Sequence, residues 1–171
     1  NGNTYQQRTK GLIMNATTAA ELRDQATATA ALVRVRNELN DAVDKLCNST
    51  DGLRDHVVRI RPQGLLTVDE MAEAIGRDRN YVDSIWSAHG ETTKGKQTRV
   101  PVGEGVDAEA ARHAYETLAD RAADLKRAAS MVSTARTERD RVVAMVYGSK
   151  LLGPSAIAAT VQVDRNHVLR I

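Results

Sequence analysis

The sequence predicts an all-α protein built from two repeats, each a long helix of coiled-coil type followed by a three-helix unit. Only 3% of its 171 residues are aromatic and phenylalanine is absent, which suits helix packing better than a sheet sandwich. Two long stretches place apolar residues at alternating spacings of four and three, the period of one helical face. In addition, one stretch of 21 residues occurs twice.

The chain begins with a polar segment, residues 1–16, which we expect to be a flexible N-terminal arm. Residues 17–47 lack proline and glycine and are predicted to form the first long helix. Its apolar stripe consists of Ala28, Leu32, Val35, Leu39, Ala42 and Leu46. Residues 48–52, Asn-Ser-Thr-Asp-Gly, are of types that favour turns. We therefore expect a break there, followed by a short helix over 53–60.

The first copy of the repeated stretch, residues 65–85, has the signals of two short helices joined by a tight turn. Thr67 and Glu70 have the spacing of a capping box at the start of a helix. Gly76 can supply the left-handed conformation that the turn needs. Asp78 can then cap the second helix.

Together with the short helix before it, the first copy is predicted to form a three-helix unit over residues 53–88. The first long helix and this unit make up the first repeat, residues 17–88.

The second copy, residues 151–171, aligns with the first without a gap. Eight of the 21 positions are identical, whereas chance pairing at ordinary residue frequencies gives roughly one or two. The identical pairs are Leu65/Leu151, Leu66/Leu152, Ala72/Ala158, Asp78/Asp164, Arg79/Arg165, Asn80/Asn166, Val82/Val168 and Ile85/Ile171. We interpret the pair as an internal duplication. Gln162 replaces the turn glycine, so we expect a distorted second turn.

Residues 89–106 separate the two repeats and contain four glycines together with Lys94, Lys96 and Arg99. A flexible linker is one interpretation of this basic, glycine-rich segment. A small wing that contacts a phosphate backbone is the other.

A second long helix is predicted over residues 107–146. Its stripe consists of Ala111, Tyr115, Leu118, Ala122, Leu125, Ala129 and Val132, and resumes at Val143 and Val146 after an interruption at Arg136 and Arg139. The stripe has the pattern of a coiled-coil seam, whose partner is either the first long helix or a second protomer. With a three-helix unit over 139–171, it completes the second repeat, residues 107–171.

The duplication extends backward from the copies. Residues 54–58 match residues 139–143, although the offset between the repeats changes there by one residue. The chain stops at Ile171, inside the last predicted helix, so we expect the sequence to be truncated at that point.

Both copies resemble the helix-turn-helix superfamily of DNA-binding domains, as in phage repressors and the last DNA-binding region of sigma factors. The resemblance covers about 21 residues in each copy and implies that the second helix enters the major groove. The residues that it places at DNA are Arg77, Arg79, Asn80, Tyr81, Asp83 and Ser84 in the first copy and Arg165, Asn166, His167, Leu169 and Arg170 in the second. Arginine can bind guanine, and asparagine adenine, through two hydrogen bonds each. Lys94, Lys96 and Arg99 are further candidates for DNA contact.

The function that this resemblance implies is sequence-specific binding of double-stranded DNA, as by a transcriptional regulator or repressor. Two recognition helices on one chain would contact two related but unequal half-sites. The alternative is a helical interaction protein, or a DNA-segregation or architectural protein, whose long helices bind a protein partner or a second copy of the chain.

Composition argues against several other classes. The single cysteine, Cys47, excludes an internal disulfide and a multi-cysteine zinc site. The four histidines have no metal-ligand spacing, and no phosphate-binding glycine loop occurs, so we expect neither an enzyme nor a cofactor. No apolar run approaches the ~20 residues that cross a bilayer. We therefore expect a cytoplasmic, nucleoid-associated protein without membrane contact.

Overall fold

The structure is a computed structural model. It describes residues 19–89 and 107–171. The described residues form α-helices and contain no strand, which confirms the predicted all-α class. The helices are α1 (Gln25–Ile60), α2 (Val68–Ile75), α3 (Arg79–Ala88), α4 (Ala108–Ser149), α5 (Pro154–Val161) and α6 (Arg165–Val168). The arm expected over 1–16 lies outside the described residues, as does all of the expected linker or wing except His89.

Helix α1 is continuous over 36 residues, so the predicted break at residues 48–52 is wrong. Two interactions accommodate the turn-forming residues: Thr50 donates its hydroxyl to the carbonyl of Leu46 at 2.7 Å, and the carbonyl of Gly52 accepts from Arg121 at 3.2 Å. Directly after them Leu53 is fully buried. Burial of the following turns therefore outweighs the weak local preference for a break.

The start of α1 also differs from the expected residue 17, because the helix begins at Gln25. Asp24 provides the start signal: its carboxylate accepts the backbone N–H of Thr27 at 2.8 Å. The Thr27 hydroxyl accepts the N–H of Asp24 at 3.1 Å in return. This reciprocal pair satisfies two N–H groups that the first helical turn cannot satisfy itself.

Helix α4 is also continuous, over 42 residues, and its buried face differs in part from the predicted stripe. Ala129 is exposed, whereas its neighbour Ala128 is buried. Arg136 and Arg139, at which the predicted stripe is interrupted, lie within the continuous helix. The many alanines of α4 make several of its faces similarly apolar, so the spacing alone could not select the buried face.

The chain divides into two compact units. Of the described residues, the first unit comprises 40–89 and 107–133, and the second unit comprises 19–39 and 134–171. Each unit takes part of each long helix, so the unit boundaries do not coincide with those of the predicted repeats.

Each unit has its own apolar core, formed around a pair of short helices. We call α2 and α3 the first helix pair, and α5 and α6 the second helix pair. The core of the first unit includes Leu53, Val57 and Ile60 of α1, Met71, Ile75, Val82 and Ile85 of the helix pair, and Ala114 and Leu118 of α4. The core of the second unit includes Ala28, Leu32 and Val35 of α1, Val142, Val143 and Val146 of α4, and Ile157, Ala158, Val161 and Val168 of the helix pair.

The two helix pairs have the same local backbone. Helix α5 begins and ends 86 positions after α2, and α6 begins 86 positions after α3. Left-handed residues occur at the same relative places: Gly64 (φ 63°) matches Lys150 (φ 60°), and Gly76 (φ 67°) matches Gln162 (φ 58°). The distortion predicted for the second turn is therefore wrong, because Gln162 adopts the left-handed conformation itself.

Burial in the long helices follows the same offset of 86 positions. Equivalent buried pairs are Ala28/Ala114, Leu32/Leu118, Ala42/Ala128, Val57/Val143 and Ile60/Val146. The one-residue change of offset that the sequence match of residues 54–58 suggested is not observed. At the constant offset, buried His56 corresponds to buried Val142.

Candidate nucleic-acid interface

Local capping sets the start of both short helices in the first helix pair. Thr67 and Glu70 form the predicted capping box, with the Glu70 N–H donating to the Thr67 hydroxyl at 3.1 Å and the Thr67 N–H donating to the Glu70 carboxylate at 2.7 Å. Asp78 accepts the N–H of Tyr81 at 2.9 Å. Since Val82 and Ile85 are buried, the opposite side of α3 faces outward.

Most of the predicted contact residues of the first helix pair lie on its outer surface. Arg77, Arg79, Asn80 and Ser84 are exposed, whereas Tyr81 is partly buried. The guanidinium of Arg77 lies over the Tyr81 ring, 5.6 Å from its centroid, a distance typical of cation–π contacts. Ser84 donates its hydroxyl to the carbonyl of Tyr81 at 2.7 Å.

Two carboxylates flank Arg79. Its Nη1 lies 3.7 Å from Oδ2 of Asp69 on α2, and its Nε lies 3.8 Å from Oδ2 of Asp83. The Arg79 side chain is still 49% exposed, so both ion pairs are of the solvent-screened kind. Arg79 is therefore accessible, but it is already engaged within the helix pair.

Asp83 also contacts Arg61, a residue that the sequence did not single out. Arg61 Nη2 donates to Asp83 Oδ1 at 3.0 Å, and the Arg61 side chain is only 12% exposed. Its guanidinium lies 5.0 Å from the centroid of the Trp86 ring. Asp83, which was predicted to contact bases, thus connects α3 to the segment that follows α1. Its partner is 22 positions away, and no local pattern indicates it.

The second helix pair leaves its arginines more open. Arg165, Asn166 and Arg170 are exposed, and Asp164 caps α6 by accepting the N–H of Asn166 at 2.7 Å. Arg170 donates its Nε–H to the carbonyl of Asn166 at 3.1 Å. Among the described residues, no carboxylate lies within 4.0 Å of Arg165. Leu169 is also exposed.

His167 is the partly buried member of the predicted set. Its Nε2 lies 3.3 Å from Arg139 Nη2 and 3.4 Å from Asp140 Oδ1. Arg139 and Asp140 are themselves paired at 2.7 Å. His167 thus joins α6 to the long helix α4.

Charge distinguishes the two helix pairs. Residues 61–85, which cover the first pair and its approach, contain three basic and five acidic residues. The equivalent residues 147–171 contain three basic and one acidic residue. Because DNA binding depends strongly on neutralising phosphates, the second helix pair has the charge that better suits DNA.

The remaining candidates, Lys94, Lys96 and Arg99, lie outside the described residues.

Within residues 19–89 and 107–171, no group of three or more His, Cys, Asp or Glu side chains could hold a metal ion. None of the helices in those ranges is both long and apolar enough to span a bilayer.

The chain matches no protein-family model, no curated protein and no solved structure. The similarity that it does show is internal, between its two helix pairs. The function must therefore be inferred from the surfaces that those pairs present.

Proposed function

We propose that this chain is a sequence-specific double-stranded DNA-binding protein, acting as a transcriptional regulator. Helices α3 and α6 would enter the major groove at two related half-sites. The observation that carries the proposal is the exposed Arg–Asn dipeptide at the start of the second helix in both pairs, Arg79-Asn80 and Arg165-Asn166. Each dipeptide follows an aspartate that caps the helix.

We further propose that the two helix pairs and their long helices arose by internal duplication. The constant offset supports this, because it extends over α1 and α4 as well as over the short helices. The left-handed residues support it independently of residue identity. Glycine occupies both left-handed positions in and before the first helix pair, Gly64 and Gly76, whereas the equivalent positions hold Lys150 and Gln162, yet the backbone conformation is the same.

The exposed dipeptide fits base recognition for a geometric reason. Val82 and Val168, which lie three positions after the arginines, are buried and hold the inner side of each helix against its unit. The arginine and asparagine are then left on the outside, at the helix end that helix-turn-helix proteins direct into the major groove. Arginine–guanine and asparagine–adenine pairs each contribute about 1–3 kcal/mol of discrimination against the wrong base.

Two recognition helices on one chain also provide affinity that a single helix pair lacks. Once one pair is bound, binding of the other becomes intramolecular, at an effective concentration that the connection between them sets. A longer site is then recognised without dimerisation. The half-sites should be similar but unequal, because Asp83 and Ser84 are replaced by Leu169 and Arg170.

Selection from a pool of random duplexes tests the proposal directly. We expect a preferred sequence with two related elements. On that duplex, Arg79→Ala and Arg165→Ala should each weaken binding, by up to about 1–3 kcal/mol, and should relax the preference at one base position. Lys45→Ala, which removes an exposed charge on α1, is the matched control. Failure to select any sequence would refute specific recognition.

The acidity of the first helix pair favours one alternative, in which the chain is a helical protein-interaction module. Salt dependence separates the two functions. DNA binding through several phosphates loses affinity steeply between 50 and 200 mM salt, by roughly a thousandfold or more. Duplex binding that is weak and insensitive to salt would favour the protein-interaction function.

A further inference from the structure

Arg79 and Arg165 occupy equivalent positions, but their surroundings differ in a way that bears on DNA binding. The inference rests on the proposed function and concerns how much each helix pair contributes to the affinity for DNA. Arg79 lies between Asp69 and Asp83, at 3.7 and 3.8 Å. The equivalent neighbours of Arg165 are Ser155 and Leu169, neither of which carries a charge.

The two carboxylates contact Arg79 on the nitrogens that base recognition needs. An arginine that binds guanine through two hydrogen bonds uses either both Nη atoms or Nε with one Nη. Asp69 lies near Nη1 and Asp83 near Nε. Binding through both Nη atoms therefore uses a nitrogen beside Asp69, and binding through Nε uses the nitrogen beside Asp83. At 3.7 and 3.8 Å the carboxylates attract the guanidinium without accepting hydrogen bonds from it. Arg79 therefore gives up part of that attraction when it turns towards a base.

We propose that Asp69 lowers the affinity of the first helix pair for DNA by pairing with Arg79. The second helix pair then supplies most of the sequence-specific affinity, and the first adds a weaker contact. Asp69 acts in two ways: it competes for the guanidinium, and it places a negative charge beside a surface that would approach phosphates. The side chains of Asp69 and Arg79 are both well exposed, so the effect is a modulation and not a block.

Asp69 is a better probe than Asp83, although both approach Arg79. Asp83 also accepts a hydrogen bond from Arg61 at 3.0 Å, and Arg61 is largely buried. Replacing Asp83 would leave that guanidinium without its carboxylate and would disturb the fold. Asp69 is 75% exposed and its ion pair is with Arg79 alone among the described residues.

Reciprocal substitutions test the inference on the full chain. Asp69→Ser gives the first helix pair the residue that the second has, and Ser155→Asp does the reverse. With the duplex selected by the unmodified protein, we expect Asp69→Ser to tighten binding about two- to fivefold and Ser155→Asp to weaken it by a similar factor. Arg165→Ala should weaken binding more than Arg79→Ala does.

A double substitution shows whether the effect passes through the arginine. The gain from Asp69→Ser should shrink when Arg79 is already alanine, because only the part that arises from the charge of Asp69 near phosphates remains. A gain of equal size in that background would overturn the pairing mechanism. So would a similar gain from Asp44→Ser, which removes an exposed carboxylate from α1, because the effect would then be one of total charge.

The outcomes also separate this inference from the proposed function. Equal losses from Arg79→Ala and Arg165→Ala, with no gain from Asp69→Ser, would overturn the inference but leave DNA recognition intact. If neither arginine substitution affects binding, the proposed function itself is refuted. Circular dichroism spectra and melting curves of each variant show whether folding has been retained.

Discussion

The first helix pair has the clearer local signals, and the second has the better charge for DNA. The capping box of Thr67 and Glu70 has no equivalent in the second pair, which begins with Gly153 and Pro154. Even so, the two pairs begin at equivalent positions and share the same turn. The common backbone must therefore come from features other than the caps.

The shared feature is the set of buried apolar positions. Met71 and Ile157, Ile75 and Val161, and Val82 and Val168 are equivalent pairs, and all six side chains are buried. Burying a side chain of this size contributes about 1.5–3 kcal/mol, more than the ~1 kcal/mol of a typical cap. The comparison indicates that the core determines the fold of each helix pair, while exposed residues are free to differ in charge.

Substitution of equivalent core leucines is the most severe test of this comparison. Leu32 and Leu118 are both fully buried, one in each core. We expect Leu32→Ala and Leu118→Ala each to reduce the free energy of unfolding by about 2–5 kcal/mol. Urea denaturation followed by circular dichroism measures the loss. Leu39→Ala and Leu125→Ala provide the control, because these equivalent leucines are only partly buried and should cost less.

A neutral result for one fully buried leucine would mean that its unit lacks the packing described above. Similar losses in the two units would support equivalent cores. The size of any difference reports how well each core relaxes around the cavity.

A buried histidine is the main chemical difference between the two cores. His56 is 8% exposed, and its counterpart is Val142. Arg59 donates to Nδ1 of His56 at 3.0 Å, while Nε2 is buried and has no partner among the described residues. Burial lowers the pKa of His56, and the charges of Arg121, Arg59 and His113 lower it further.

The lowered pKa makes stability depend on pH. Below the ordinary histidine pKa of about 6.5, the unfolded chain takes up a proton more readily than the folded chain does. Stability contributed by neutral His56 is therefore present above that pH and is lost as the pH falls. His56→Val should flatten this dependence between pH 8 and 5. Because it also removes the unpaired N–H, which neutral His56 carries as well, it should stabilise the fold by about 1–3 kcal/mol throughout that range.

Thermal melting as a function of pH measures both effects. The reciprocal variant Val142→His should introduce the same sensitivity into the second core. If His56→Val leaves the slope unchanged, the acid sensitivity of this protein arises elsewhere.

Local rules predicted the parts of the fold that local interactions determine. The capping box at Thr67, the cap at Asp78 and the exposure of Arg79 and Arg165 all follow from residues within four positions of one another. The all-α class follows from the long stripes and the scarcity of aromatic residues.

Features that depend on distant partners could not be predicted in this way. Arg61 follows α1 and Asp83 lies on α3, and the chain brings them together only through the path of α2 between them, so the engagement of Asp83 was missed. Continuity of α1 through Gly52 depends in part on Arg121 of α4. The buried face of α4 was misassigned near Ala129 because alanine gives no contrast between neighbouring faces.

The two left-handed turn residues offer the finest test of the comparison. Gly76 and Gln162 have nearly the same φ, but only glycine adopts that conformation without a steric penalty from Cβ. A left-handed residue with a side chain costs roughly 1–2 kcal/mol. We expect Gly76→Gln to destabilise the protein by about that amount, and Gln162→Gly to stabilise it by up to about 1 kcal/mol.

Space around the first turn makes the interpretation direct. A Cβ at Gly76 would meet no atom within 4 Å, so a loss on substitution reports backbone strain and not a clash. Lys150→Gly, at the left-handed position that precedes the second helix pair, should stabilise for the same reason. Ala159→Gly within α5 should instead destabilise by roughly 1 kcal/mol. Chemical denaturation of the four variants measures these changes. Destabilisation by Gln162→Gly would show that the glutamine side chain makes a contact whose contribution exceeds the backbone strain at that position. The two turns would then share a conformation but differ in the interactions that stabilise them.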